Sequence, residues 1–218
     1  GWVFGGVYDG HGGDQAAQYA AVHLHTLFLE HLDALQDPER AFTAAYEEIS
    51  RQLSNQNSGT TAATFFIRAK ELTAANAGDA RVLLISRDGV RQLTRDHRLG
   101  DPDERARIER CGGKIAYPYV MRGISGLMPT RSIGDAYFEP VGIIATPFVS
   151  TVTLTPNDRF VIAACDGLFD VMHNEEIGDV AMSASGPEDL CEKLRREVLE
   201  VRVGRDNLTI TILDLQDD

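Results

Sequence analysis

Three aspartates stand where apolar runs give way to turns. Asp9 lies in Val7-Tyr8-Asp9-Gly10-His11-Gly12-Gly13, Asp166 in Ala163-Ala164-Cys165-Asp166-Gly167-Leu168-Phe169-Asp170, and Asp206 in Gly204-Arg205-Asp206-Asn207. A strand that stops on a carboxylate beside a glycine presents that carboxylate at the edge of the fold, where a ligand can approach the main chain closely. One such carboxylate is an ordinary turn residue. Three of them, drawn from the start, middle and end of one chain, describe a site that folding assembles. Oxygen ligands without a cysteine and histidine cage suit Mg²⁺ or Mn²⁺ better than zinc. His11, two residues from Asp9, adds a group that can exchange a proton near neutral pH.

Elements of both kinds must position these residues. The pattern predicts a strand over Trp2 to Tyr8, a helix from Gly12 to about Leu35, and a second helix opened by Pro38 and running to about Leu53. Strands are expected at Thr60 to Ile67, Glu71 to Asn76 and Arg81 to Ser86, followed by a hairpin turn at Arg87-Asp88-Gly89. A helix over Pro102 to Cys111 ends at Gly112-Gly113. Strands follow at Val149 to Leu154 and Arg159 to Ala164, then helices over Asn174 to Ala184 and Pro187 to Val201. A last strand alternates Leu208, Ile210 and Ile212 with Thr209 and Thr211. Strands arrive in blocks and helices in pairs, which fits antiparallel sheets with helices on their outer faces better than a parallel βαβ sheet. Residues 1–218 read as one domain of the α+β class.

Composition excludes several partners. Acidic residues outnumber basic ones 33 to 21, a formal charge of −12, and such a surface repels nucleic-acid backbones and anionic membranes. No apolar run reaches the length of a membrane helix, and the first residues carry no charged stretch followed by an apolar one. Three cysteines, Cys111, Cys165 and Cys191, are odd in number and have no metal-type spacing. They are expected to be buried thiols of a monomeric protein in a reducing, cytoplasmic setting.

Seven blocks in order carry a family resemblance. They are Tyr8-Asp9-Gly10-His11-Gly12-Gly13; Ser58-Gly59-Thr60-Thr61-Ala62; Ala75-Asn76-Ala77-Gly78-Asp79-Ala80-Arg81; Leu93-Thr94-Arg95-Asp96-His97 with Glu104, Arg107-Ile108 and Gly112-Gly113; Thr130-Arg131-Ser132-Ile133-Gly134-Asp135; Asp166-Gly167-Leu168-Phe169-Asp170-Val171-Met172; and Asp206-Asn207-Leu208-Thr209. Together they resemble the metal-dependent protein phosphatases of the PPM family, the type-2C class. The resemblance implies a central antiparallel β-sandwich flanked by pairs of helices. It also implies hydrolysis of phosphoserine and phosphothreonine in phosphorylated proteins by a metal-bridging water. Two ions, Mn²⁺ or Mg²⁺, are implied. Asp9 would bridge them, the Gly10 carbonyl would bind the second, and Asp166 and Asp206 would hold the first.

By the same resemblance His11 is the general acid that protonates the leaving alkoxide; the alternative is a histidine that orients a carboxylate or a water. Asp96 and Asp170 resemble the ligands of a weaker third ion, or are solvated turn carboxylates and helix caps. Asp79 and Asp135 read as turn and network residues without a catalytic role. Cys165 raises a rival thiolate mechanism, but that mechanism needs an arginine six residues on, where this chain has Val171. No G-x-S-x-G elbow, H-E-x-x-H or Walker loop is present, so water is the expected nucleophile. The family pattern places a strand pair before the first block, with a phosphate-binding arginine and a further acidic ligand. Neither has a counterpart in these residues, and the stretch between Gly113 and Arg131, the family's variable flap, is short. The second function class is therefore a catalytically impaired pseudophosphatase that acts as a regulatory binding module.

Overall fold

The computed structural model describes residues 1–216. Its first sheet contains β1 (Trp2–His11), β2 (Gly59–Arg68), β3 (Glu71–Ala77) and β10 (Phe148–Thr153) in that order, with the short β9 (Ile133–Gly134) paired to the start of β2. The second sheet is β12 (Ile210–Asp214), β11 (Asp158–Ala164), β4 (Arg81–Ser86) and β5 (Gly89–Gln92). Every pairing between these strands is antiparallel. The two sheets face each other across Val7, Phe65, Leu72, Val82, Leu84, Val152 and Val161. Aliphatic and β-branched side chains at alternate strand positions fill that layer, as a sandwich requires.

Helix pairs cover the outer faces. On the first sheet, α1 (Gln15–Leu35) buries Ala16, Ala20, Leu24, Phe28 and Leu32, an i, i+4 stripe that continues one face along five turns. Beside it α2 (Pro38–Gln52) starts at Pro38, with the Asp37 carboxylate accepting from the Glu39 and Arg40 amides. Phe28, Phe42, Tyr46 and Phe66 join both helices to β2, and the buried Tyr46 hydroxyl is bonded to Thr64 and to the Ala75 carbonyl. On the second sheet, α5 (Asn174–Met182) and α6 (Pro187–Arg196) cover Leu83, Ile85, Phe160 and Ile162. A small subcore of Leu99, Ile108, Val120, Leu127, Phe138 and Ile143 ties α3 (Pro102–Arg110) to a three-stranded sheet of β6 (Lys114–Ala116), β7 (Tyr119–Arg122) and β8 (Ser125–Leu127). No helix of the described residues is long and apolar enough to cross a membrane.

Four details differ from the sequence expectation. β1 does not stop at Tyr8. It continues through Asp9, Gly10 and His11, because β2 offers Thr61, Thr60 and Gly59 as partners for all three. The last strand starts at Ile210 and not at Leu208, since β11 ends at Ala164 and leaves nothing for residue 208 to pair with. The stretch between Gly113 and Arg131, read from the sequence only as a short flap with no element assigned, forms β6 to β8. Of the three free thiols only Cys165 is buried; Cys111 caps α3 and Cys191 lies on the outer side of α6, both exposed.

Candidate active site

Strand geometry delivers the first two groups. Residues two apart on a strand share a face, so Val7 enters the core between the sheets while Asp9 and His11 emerge at its end. Asp166 comes from the second sheet: β11 ends at Ala164, Cys165 follows, and Asp166 opens the short α4 (Asp166–Phe169). Asp206 sits on the loop that precedes β12. Cys165 holds that loop against the end of β11, its thiol donating to the Asn207 carbonyl at 3.3 Å and accepting from the Thr209 amide at 3.3 Å. Burial pushes the thiol's pKa up, against the thiolate that a nucleophile would need.

These residues line one cleft of about 300 Å³. Asp9, Gly10, His11, Thr61, Asp79, Asp166 and Asp206 form its floor, and Gly126 to Pro129, from the end of β8 onward, form a wall. Single ligand atoms of Asp9, Cys165 and Asp166 lie within 4.8 Å of one another. Burial, then the charges of Asp79, Asp170 and Asp9, push the Asp166 carboxyl up to about 7. Asp9 is raised as well, by burial and then by Asp206 and Asp79. Carboxylates that resist ionising together call for a cation between them. The Thr61 hydroxyl, paired across from Asp9, is buried with no hydrogen-bond partner among the described residues, so the cleft floor retains an unused oxygen. The donor set is all oxygen apart from the thiol committed to the 207–209 loop. Mg²⁺ or Mn²⁺ fits it.

One protein cation already reaches the cluster. Arg98 donates from Nε to Asp79 at 2.7 Å, and from one terminal nitrogen to Asp166 at 3.0 Å and Asp170 at 3.2 Å. One guanidinium offsets only part of the charge of Asp9, Asp79, Asp166, Asp170 and Asp206. Asp96 is engaged elsewhere: Arg81 grips it with two bonds of 2.7 and 2.6 Å while also bonding Asn174 and stacking over Phe169. A third ion at Asp96 and Asp170 would therefore replace guanidinium contacts on both carboxylates.

The sequence reading missed Arg98 altogether and gave Asp79 and Asp135 only a scaffold role. Asp79 lies on the cleft floor, 4% exposed and paired to Arg98. Asp135 accepts a 2.5 Å hydrogen bond from His11 Nε2. Burial alone would lower the proton affinity of His11, but the bond and charge of Asp135, joined by the charges of Asp9 and Asp79, outweigh it and raise the pKa. A faint signal existed: Asp135 follows Gly134, as Asp79 follows Gly78, and both glycines have positive φ.

A family model described as protein phosphatase 2C matches residues 1–206. Protein phosphatase 2C homolog 1 of Saccharomyces cerevisiae is 32% identical over 98% of the chain and 82% of its own length. Human protein phosphatase 1F is 32% identical over 97% of the chain, which spans 48% of that protein. The probable protein phosphatase 2C 69 of Arabidopsis thaliana is 34% identical, and the chain spans 60% of it. Among solved structures, a Caenorhabditis elegans sex-determining protein superposes with a TM-score of 0.83 at 27% identity, over 99% of this chain and 57% of that one. A serine-threonine phosphatase 2C from Toxoplasma gondii gives 0.78 at 23% identity, over 98% of this chain and 84% of that one, a likeness of fold.

Proposed function

Because the chain belongs to the protein phosphatase 2C family, we propose that it hydrolyses phosphoserine and phosphothreonine in phosphorylated proteins, with water as the nucleophile and no covalent intermediate. The observation that carries this reading is the convergence of Asp9, Asp166 and Asp206, from three separate parts of the chain, on one cleft beside His11. Asp9 would bridge two ions, with the Gly10 carbonyl on the second and Asp166 and Asp206 on the first; a weaker third would take Asp96 and Asp170 from their arginines. Held there, Mn²⁺ or Mg²⁺ would supply acidification of a water and offset charge on the phosphoryl oxygens. The protein's own groups supply the rest. Arg98 balances part of the carboxylate charge, the wall from Gly126 to Pro129 confines the phosphoryl group, and His11 donates a proton to the departing alkoxide. Free exposed thiols and the acidic surface fit a cytoplasmic monomer.

Chelation is the direct test. Excess chelator should abolish hydrolysis of an aryl phosphate and of a phosphothreonine peptide, and Mn²⁺ should restore both. Turnover that survives chelation overturns the metal-dependent reading. Tight Mn²⁺ binding without any turnover would make the chain a regulatory binding module of the same fold.

A further inference from the structure

Asp135 occupies a costly position. It lies directly after β9 at φ +53°, a left-handed conformation that a non-glycine residue adopts at a steric penalty, and its side chain is 8% exposed. Burying a carboxylate in such a backbone is unfavourable unless its oxygens are satisfied. Here one of them, Oδ2, takes two donors. Asp135 Oδ2 accepts from the Ser132 hydroxyl at 2.6 Å and from His11 Nε2 at 2.5 Å, across 124 residues of sequence. The pair fits only because position 59 is glycine, since a Cβ there would collide with both Asp135 Oδ2 and His11 Nε2. Gly59 is also the strand partner of His11 in β1 and of Gly134 in β9, so it clamps both ends of the pair. Ser132, Gly59 and Asp135 thus form a small device around one imidazole nitrogen, with Ser132 bonded to the carboxylate oxygen that holds it.

That device decides which ring nitrogen of His11 is engaged. With Nε2–H committed to a carboxylate, Nδ1 is the ring nitrogen left for the cleft. We propose that Asp135 is a positioning residue for catalysis: by holding Nε2 it fixes the orientation of His11 so that Nδ1, and not Nε2, is the ring nitrogen presented to the leaving group. This rests on the reading of His11 as the general acid. In the step, the P–O bond to the leaving group breaks and its electron pair stays on the alkoxide oxygen. That oxygen takes the proton from Nδ1, and His11 regains one from solvent. Asp135 keeps its Nε2 bond throughout and never meets the substrate. The hydrogen bond of an imidazole's second nitrogen to a carboxylate is a general means of setting which nitrogen does the chemistry.

A double-mutant cycle tests the assignment. Asp135→Asn is the gentle variant, because asparagine tolerates the left-handed conformation and keeps a similar volume. With Mg²⁺ bound, it should lower kcat about tenfold or more on an alkyl phosphate such as a phosphoserine peptide, a share of what a positioned acid typically contributes. On an aryl phosphate with a good leaving group the loss should be under about threefold, and KM should hold on both substrates. In a His11→Gln background the same change should cost nearly nothing, because it acts through a group already removed. Ser132→Ala, which frees the carboxylate without deleting it, should give a smaller loss with the same leaving-group bias. Nitrogen-15 spectra of the Mg²⁺-bound chain give a reading independent of turnover: His11 Nε2 should carry its proton in the wild type and lose that fixed state in Asp135→Asn. Equal losses on both esters, full additivity with His11→Gln, or an unchanged His11 signature overturns the proposal. A loss of all metal-dependent turnover in the wild type would instead overturn the phosphatase reading and leave the spectroscopic result standing.

Discussion

Cys165 and Asp166 are adjacent at the end of β11, and the structure gives them unlike surroundings. The thiol is bonded to main chain on the neighbouring loop and shifted toward its protonated form. The carboxylate faces the cleft beside Asp9 and carries a charge that Arg98 only partly offsets. Asp166→Asn keeps volume and removes the charge of a proposed ligand, so Mn²⁺ affinity by calorimetry should fall by at least tenfold and turnover by at least a hundredfold, with far-ultraviolet dichroism unchanged. Cys165→Ser should retain most turnover. A lethal cysteine change beside a mild aspartate change would reverse the mechanism. For His11, substitution by glutamine should slow alkyl phosphoserine substrates by about a hundredfold, and aryl phosphates far less, because poor leaving groups need the proton. Equal slowing would make His11 a residue that merely orients a water or a carboxylate.

Glu104 holds together the elements around the cleft. Its buried carboxylate accepts from both terminal nitrogens of Arg107, from Nε and a terminal nitrogen of Arg131, and from the Thr130 hydroxyl, joining α3 to the segment that enters β9. Burial would raise its pKa, but these partners, Arg107 foremost among the side chains, hold it well below the usual carboxylate range. A folded-state pKa below the unfolded one gives stability that is full above about pH 4.3 and lost as pH falls through the folded value. Glu104→Ala leaves two guanidiniums facing an unfilled site and should cost about 3–5 kcal/mol in urea unfolding at pH 7. Its deficit should shrink in acid; a deficit that stays constant down to pH 3 would assign the loss to packing alone. Glu104 was legible in the sequence as part of a family block, and its role as a hub was not, because its partners lie 3, 26 and 27 residues away. The same contrast holds elsewhere. Helix starts at Pro38 and Pro102 and the apolar stripe of α1 are local signals, and the structure keeps them. The extension of β1 through His11 depends on what β2 offers, and β6 to β8 are three- and four-residue strands without enough periodicity to announce themselves. Asp9, Asp166 and Asp206 stood out as carboxylates at the ends of apolar runs, whereas the Asp135–His11 pair is a product of tertiary folding.

At the scale of the whole molecule, the cleft sets function against stability. The chain carries a formal charge of −12, and the sandwich gathers Asp9, Asp79, Asp166 and Asp206 at one place with Arg98 as their cation. Without metal, the Asp166 carboxyl is pushed up to about 7 by burial and its acidic neighbours. A group whose folded pKa lies above its unfolded value stabilises fully below the unfolded pKa, near 3.9, and that contribution is lost as pH rises through about 7. The metal-free chain should therefore lose stability from pH 4 to pH 8 at this site, and a bound cation should reverse the loss by binding only the folded state. Asp166→Asn removes the charge that causes it. In chelator at pH 8 this variant should melt higher than the wild type by roughly 5 °C, the equivalent of about 2 kcal/mol for a chain of this size. The difference should vanish near pH 4, where the wild-type carboxyl is protonated. Mn²⁺ should raise the wild-type Tm more at pH 8 than at pH 5 and leave the variant nearly unmoved. Thermal melts at three pH values, with and without Mn²⁺, decide the matter. A variant that melts lower than the wild type in chelator at pH 8 would mean that the Arg98–Asp166 pair outweighs the repulsion, and that the cleft is balanced before any metal arrives.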